Sequence, residues 1–113
     1  MSNRRKELMR EYKERKPVGG VYKITNQVSG RYVIDHTANI QSARNHFQFA
    51  QKMGSPMHLE LKKDWAELGG QAFKLEVLEE VEQRADQTQA QFMDELKTLE
   101  QLHRANYDVA KSY

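Results

Sequence analysis

Gly19-Gly20-Val21-Tyr22-Lys23-Ile24-Thr25-Asn26 runs through Gln27-Val28-Ser29-Gly30 into Arg31-Tyr32-Val33-Ile34-Asp35-His36. Two runs rich in β-branched and aromatic residues flank a short polar link ending in Gly, the residue that most readily takes the positive φ of a tight turn. The stretch predicts a β-hairpin. Side chains alternate across a strand. Gly20, Tyr22, Ile24 and Asn26 then share one face of the first run, and Val21, Lys23 and Thr25 the other. In the second run Tyr32, Ile34 and His36 stand opposite Arg31, Val33 and Asp35.

Upstream, residues 3–15 lack Gly and Pro, and Leu8, Met9 and Tyr12 form a thin apolar stripe. A helix is expected there, with Ser2 or Asn3 as N-cap. Lys16-Pro17 ends it, because the residue before Pro is pushed out of the α region. Downstream, Thr37-Ala38-Asn39 reads as a turn, and Thr37 or Asn39 caps a helix from Ile40 to Lys52. Ile40, Ala43, Phe47 and Ala50 lie on one face of that helix. Met53-Gly54-Ser55-Pro56 stops it. A second helix is expected to begin there, with Ser55 as N-cap and Pro56 at its first position. Met57, Leu61, Trp65 and Leu68 follow at helical spacing, and Gly69-Gly70 closes the segment.

From Phe73 the chain alternates strictly, Phe73, Leu75 and Val77 against Lys74, Glu76 and Leu78, which predicts a strand to Val81. A polar loop over 82–88 leads to a last helix over 89–104, with Phe92, Leu96, Leu99 and His103 on one stripe. The whole is an α+β domain: a small three-stranded antiparallel sheet, made of the hairpin and a third strand, flanked by helices. Residues 1–17 form a basic helical arm and 18–113 a single domain.

The chain has 113 residues, 30% of them charged and 38% hydrophobic, a rather polar composition able to bury one modest core. No apolar run approaches the ~20 residues of a membrane span. The basic N-terminus is not followed by an apolar stretch, so no secretory signal is expected and the cytoplasm is the natural compartment. The absence of Cys excludes disulfides, thiolate zinc sites and a Cys nucleophile together. His46, His58 and His103 form no metal-ligand spacing, which argues against zinc. The net charge is +2, but residues 1–16 carry a balance of +4 and residues 74–113 one of −4. A basic arm containing Arg4 and Arg5 can dock on phosphate, or it can be a solvated mixed-charge helix.

Several motifs, in order, resemble those of the GIY-YIG nuclease domain over about residues 19–104. Gly20-Val21-Tyr22 resembles the family's first motif, Gly-Ile-Tyr. Thr37-Ala38-Asn39-Ile40 is similar to the segment that opens its first helix. Leu61 through Phe73, with Trp65, Gly69 and Gly70, resembles its aromatic-Gly-Phe approach to the third strand. Leu99-Glu100 resembles the Leu-Glu pair of its last helix, where the family keeps a metal-binding carboxylate. The resemblance implies metal-dependent hydrolysis of a DNA phosphodiester. Glu100 would hold Mg²⁺ or Mn²⁺, Tyr22 would act on the water nucleophile, and an Arg would assist the phosphate. A hard cation on oxygen ligands neutralises developing charge, and a guanidinium offers phosphate a planar fork of donors.

The sequence also departs from that pattern. Val33-Ile34-Asp35 stands where Tyr-Ile-Gly is expected. Tyr32 is adjacent, but faces the other way unless a bulge intervenes. Asp35 adds a negative charge where a phosphate would sit. The Arg position is Ala43. Arg44 next to it is rotated by about 100° on a helix, and serves only if the turn before it shifts by one residue. One lost electrostatic donor can be worth roughly 3–4 kcal/mol, so the resemblance as it stands implies a catalytically degenerate domain.

Each singled-out residue has a plain alternative. Tyr22 is a catalytic phenol or a half-buried strand residue, and Glu100 a metal ligand or a surface carboxylate. His36 replaces a lost acid or base or is a solvated strand end. Trp65 is a core anchor. Lys62 and Lys63, with Arg31 and Arg44, face a phosphate or only solvent. Three functions stay open. The first is a nucleic-acid-binding module (DNA before RNA) with degenerate chemistry. The second is an active divalent-metal-dependent endonuclease in which Arg44, Tyr32 or His36 has taken over a missing role. The third is a protein-interaction domain, with a homodimer among its forms. Salt dependence separates the first from the third. Divalent-dependent nicking separates the second from both.

Overall fold

The hairpin forms as its alternation predicts, and the other described elements are built around its first strand. The computed structural model describes residues 17–113. The helix expected over 3–15, its cap at Ser2 or Asn3, and the basic pair Arg4 and Arg5 lie outside the described residues. Strand β1 spans Val18–Asn26, β2 Tyr32–Thr37 and β3 Phe73–Glu82. Helix α1 spans Ile40–Met53, α2 Lys62–Leu68 and α3 Gln89–Arg104. The sheet order is β2-β1-β3, with both pairs antiparallel.

Asn26 makes the hairpin turn. Its backbone N–H donates to the Arg31 carbonyl at 2.8 Å. Its side-chain oxygen accepts from the N–H groups of Val28 and Ser29 at 2.9 and 3.2 Å. An Asn side chain folding back on its own backbone is a turn device, and Gly30 closes the link at φ 80°. β1 and β2 then pair without a register break, Tyr22 against Asp35 and Ile24 against Val33. Asn39, rather than Thr37, caps α1 by accepting from the Ser42 N–H at 3.0 Å. Thr37 holds the turn instead: its hydroxyl donates to the Asn39 carbonyl and accepts from the Asn39 N–H, both at 3.1 Å.

One expected boundary is wrong. Ser55 and Pro56 do not start a helix. Residues 54–58 run as an irregular link, a 3-10 turn occupies Leu59–Leu61, and α2 begins only at Lys62. His58 at the end of the link is extended, φ −119° and ψ 134°, and its ring bonds the Tyr22 hydroxyl, which an earlier helix start would not let it reach. α3 occupies the expected residues. Thr88 accepts from the Gln91 N–H at 3.1 Å while Gln91 accepts from the Thr88 N–H at 2.9 Å, a reciprocal cap.

Both faces of the sheet are covered. On one, Tyr22, Ile24 and Val33 pack with Ala43, Phe47 and Ala50 of α1 and with Leu61, Trp65 and Phe73. Trp65 stacks on Phe73 at 4.6 Å between centroids and meets Phe47 edge-on at 6.0 Å. On the other, Val21, Tyr32 and Ile34 pack with Leu78, Leu99 and Tyr107. β3 carries a bulge: Val21 pairs with Glu79 but Tyr22 with Val77, so Leu78 is the extra residue. No helix among the described residues is long and apolar enough to cross a membrane.

Candidate functional site

Four segments converge beside Tyr22. β1 supplies Tyr22 itself. β2 supplies Asp35, directly opposite Tyr22 and therefore on its face, and His36 on the reverse face at the strand's end. The link before α2 supplies His58. α3 covers the reverse face and sends Glu100 and Arg104, one helical turn apart, to the β2 edge. His36 at that edge lets the two sides meet.

The Tyr22 hydroxyl lies 3.0 Å from His58 Nε2 and donates to Asp35 Oδ2 at 3.4 Å. His58 Nε2 is 3.6 Å from the same carboxylate oxygen. Asp35 Oδ1 accepts from the His36 backbone N–H at 2.8 Å and lies 3.5 Å from His36 Nδ1. His36 Nδ1 is 2.7 Å from Glu100 Oε1. The other oxygen of Glu100 accepts from Arg104 Nε at 2.9 Å, and the Arg104 guanidinium also donates to the Ile34 carbonyl at 2.6 Å. One ligand atom each from Asp35, His36 and Glu100 lie within 4.8 Å of one another.

Two carboxylates this close do not titrate alike. Burial, and then the neighbouring Glu100, push the Asp35 carboxyl above the usual carboxylate range, against the pull of the His36 N–H and His58. Burial works in the same sense on Glu100, but it is outweighed by hydrogen bonds from His36 and Asp35 and by the Arg104 guanidinium, so Glu100 is lowered. Of the two, Glu100 gives up its proton first and Asp35 holds its proton longer as pH rises. Burial and the charge of Asp35, with a smaller part from Glu100, hold the Tyr22 phenol well above its ordinary range, as a proton donor.

Of the residues singled out in the sequence, Tyr22, His36 and Glu100 come together. Tyr32 does not join them. With no bulge between β1 and β2 it stays on the opposite face, its hydroxyl donating to the Asp108 carbonyl at 3.0 Å and its ring 5.6 Å from that of Tyr107. Arg44 does not join them either. The turn before α1 holds no shift, Ala43 is buried in the core, and Arg44 lines a cavity of about 360 Å³ with Phe47, Gln48, Gln51, Phe73, Lys74 and Leu75. Lys62 and Lys63 are exposed at the start of α2, and Arg31 lies over the Tyr113 ring at 4.2 Å. His58, Asp35 as a partner and Arg104 are the residues that sequence reasoning missed. The four-residue spacing of Glu100 and Arg104 on a helix was the one available signal.

No family model matches the chain, and no curated protein does. Among solved structures it is similar to the catalytic domain of the homing endonuclease I-TevI. The identity is 16% and the TM-score 0.60, over 84% of this chain and 95% of that one. A glutamate-to-alanine variant of the same domain, described as that of an intron endonuclease, matches at 15% identity and TM-score 0.51, over 85% and 97%. The fold is GIY-YIG-like and of the α+β class.

Proposed function

We propose that the chain is a divalent-metal-dependent phosphodiesterase acting on nucleic acid, DNA first, with a rebuilt catalytic centre. The observation that carries this reading is the convergence of Tyr22, Asp35, His36, His58 and Glu100 from separate elements onto one half-buried edge. The likeness to an endonuclease catalytic domain supports it.

The donors fit a divalent cation, being two carboxylates and an imidazole with ligand atoms within 4.8 Å. Glu100, Asp35 and His36 would hold it. Bound there, the cation would neutralise charge developing on a phosphate and favour ionisation of water. The chain's own groups do the rest. Tyr22 presents a protonated hydroxyl, and His58 Nε2 at 3.0 Å is placed to exchange a proton with it. Arg104 fixes Glu100 through Nε and brings the guanidinium that α1 does not supply.

A second reading is favoured by Val33 and Ala43. Both are buried where the resemblance expects a phenol and a guanidinium. On that reading the domain binds nucleic acid without cleaving it. Plasmid nicking at low salt with Mg²⁺ or Mn²⁺, wild type against Glu100→Ala, decides between them. Nicking that the variant lacks establishes the phosphodiesterase. DNA retardation by both proteins with no nicking establishes the binding module. Neither activity overturns both readings and leaves a protein partner.

A further inference from the structure

The donor set beside Tyr22 is more than one carboxylate. His36 contributes a ring nitrogen, and nitrogen changes which cations the site can hold. We infer that Asp35, His36 and Glu100 form a three-donor site that takes a first-row transition-metal dication in preference to Mg²⁺, and takes it without nucleic acid. This rests on the reading of Glu100 as a ligand, not on cleavage.

Three features argue for it. The first is chemistry. Imidazole suits first-row transition ions, whereas Mg²⁺ keeps to oxygen donors and retains most of its water. The second is number. A lone carboxylate relies on substrate oxygens and water to complete a coordination shell. Here three donors from two elements already lie within 4.8 Å, so no phosphate is required to assemble them. The third is placement. Asp35 and His36 are consecutive on β2, and the His36 N–H fixes Asp35 Oδ1 at 2.8 Å. Glu100 arrives from α3 with one oxygen held by Arg104 at 2.9 Å and the other 2.7 Å from His36 Nδ1. The Arg104 and backbone N–H contacts are outer hydrogen bonds of the kind that orient ligands and raise affinity, while the His36–Glu100 contact shows two donors already side by side. The side chains are 34%, 22% and 14% exposed for Asp35, His36 and Glu100, so an ion can enter from solvent.

The test is isothermal titration of the full, nucleic-acid-free chain with Co²⁺, Mn²⁺ and Mg²⁺. The expected order is Co²⁺ tightest, then Mn²⁺, then Mg²⁺, with Co²⁺ ahead of Mg²⁺ by about tenfold or more. His36→Ala is expected to weaken Co²⁺ by about tenfold and Mg²⁺ much less. Should that variant fail to fold, proton spectra of the wild type give the answer: Mn²⁺ is expected to broaden the His36 ring before those of His46 and His103. Co²⁺ and Mg²⁺ within about threefold of each other, an unchanged Co²⁺ affinity in His36→Ala, or His46 or His103 broadening first would each overturn the inference. Cleavage is not read. A chain that prefers Co²⁺ through His36 and nicks nothing keeps this inference and loses the phosphodiesterase. One that nicks with Mg²⁺ and shows no Co²⁺ preference does the reverse.

Discussion

Asp35 carries two opposed consequences in one side chain. Its carboxyl is raised by burial and by Glu100, so the folded chain binds that proton more tightly than the unfolded one. The ionised form therefore subtracts stability as pH rises through the raised value, and the deficit persists at neutral pH. Glu100, which is lowered, behaves oppositely: its stabilising share is present above the ordinary Glu range and is lost as pH falls through its depressed value. Asp35→Asn is therefore expected to raise Tm at about pH 7 and to give no gain at about pH 3, where Asp35 is protonated in both states. The same substitution should weaken cation binding, a common exchange at functional sites. Melting curves at the two pH values check the sign. A lower Tm at neutral pH would mean that Asp35 is held by His36 and His58 more than it is strained by Glu100. Tyr22→Phe separates chemistry from packing. The ring stays in the core, the hydroxyl's bonds to His58 and Asp35 go, and stability should fall by only about 1 kcal/mol. Nicking, in contrast, should drop about 100-fold with DNA affinity unchanged. At this scale the sequence was legible where a motif carried the residue, as at Tyr22 and Glu100. At Asp35 it showed the substitution of a Gly, but not that the carboxylate meets Tyr22, His36 and His58. It was silent at His58, because an irregular link has no period from which to infer where a side chain points.

Among the elements, β1 is the one that every other segment depends on. It pairs on both sides, so a defect in it breaks two ladders. Gly20 lies at the tightest point, where a Cβ would run into the Glu79 carbonyl beside the β3 bulge. The obstacle is backbone and cannot swing aside. Gly20→Ala is expected to cost about 3 kcal/mol and to disturb the β3 bulge, which thermal unfolding and amide exchange at Glu79 would report. Trp65 anchors the other side of the core. Its ring is enclosed by Phe47 and Phe73, yet its indole N–H has no hydrogen-bond partner among the described residues. Trp65→Ala should cost about 3–5 kcal/mol through the cavity. Trp65→Phe should cost much less than its volume change alone suggests, since it also removes an unsatisfied buried donor. Element identities were legible because alternation and helical stripes are strong over long segments, as in β3 and α3. The start of α2 was not. Ser-Pro is a sound local start signal, but the hydrogen bond from the link to Tyr22 spans 36 residues of sequence and overrides it.

Across the described residues, the hairpin joins the candidate site to a basic end. Arg31 covers the Tyr113 ring, and the Tyr113 hydroxyl donates to Asp64 at 2.6 Å, next in sequence to Lys62 and Lys63. Those contacts, with that of Asn26 to Asp64 at 3.3 Å, bring the first turn of α2, which carries the two lysines, beside the hairpin's turn. From Arg31 to Asp35 the strand rises about 13 Å at ~3.3 Å per residue, or about four nucleotides along one strand of a duplex at ~3.4 Å each. A nucleic acid with its reacting phosphate beside Tyr22 can therefore lay its backbone along the hairpin onto Arg31, Lys62 and Lys63. This arrangement was half legible. The basic residues were visible in the sequence, but Arg44 was grouped with them although it lines the cavity against β3. Helical phase alone does not say which end of a sheet a helix overlies. If the hairpin is the phosphate track, Lys62→Ala with Lys63→Ala should lower the slope of log K against log salt by about 1.8, at ~0.9 per phosphate contact on duplex DNA. The nicking rate at saturating DNA should stay unchanged, because neither lysine touches the reacting groups. Arg44→Ala should leave both quantities alone. A slope that falls for Arg44→Ala and not for the lysine pair would move the track to the far edge of the sheet, along β3 and α1, and would detach the basic end of the hairpin from nucleic-acid binding.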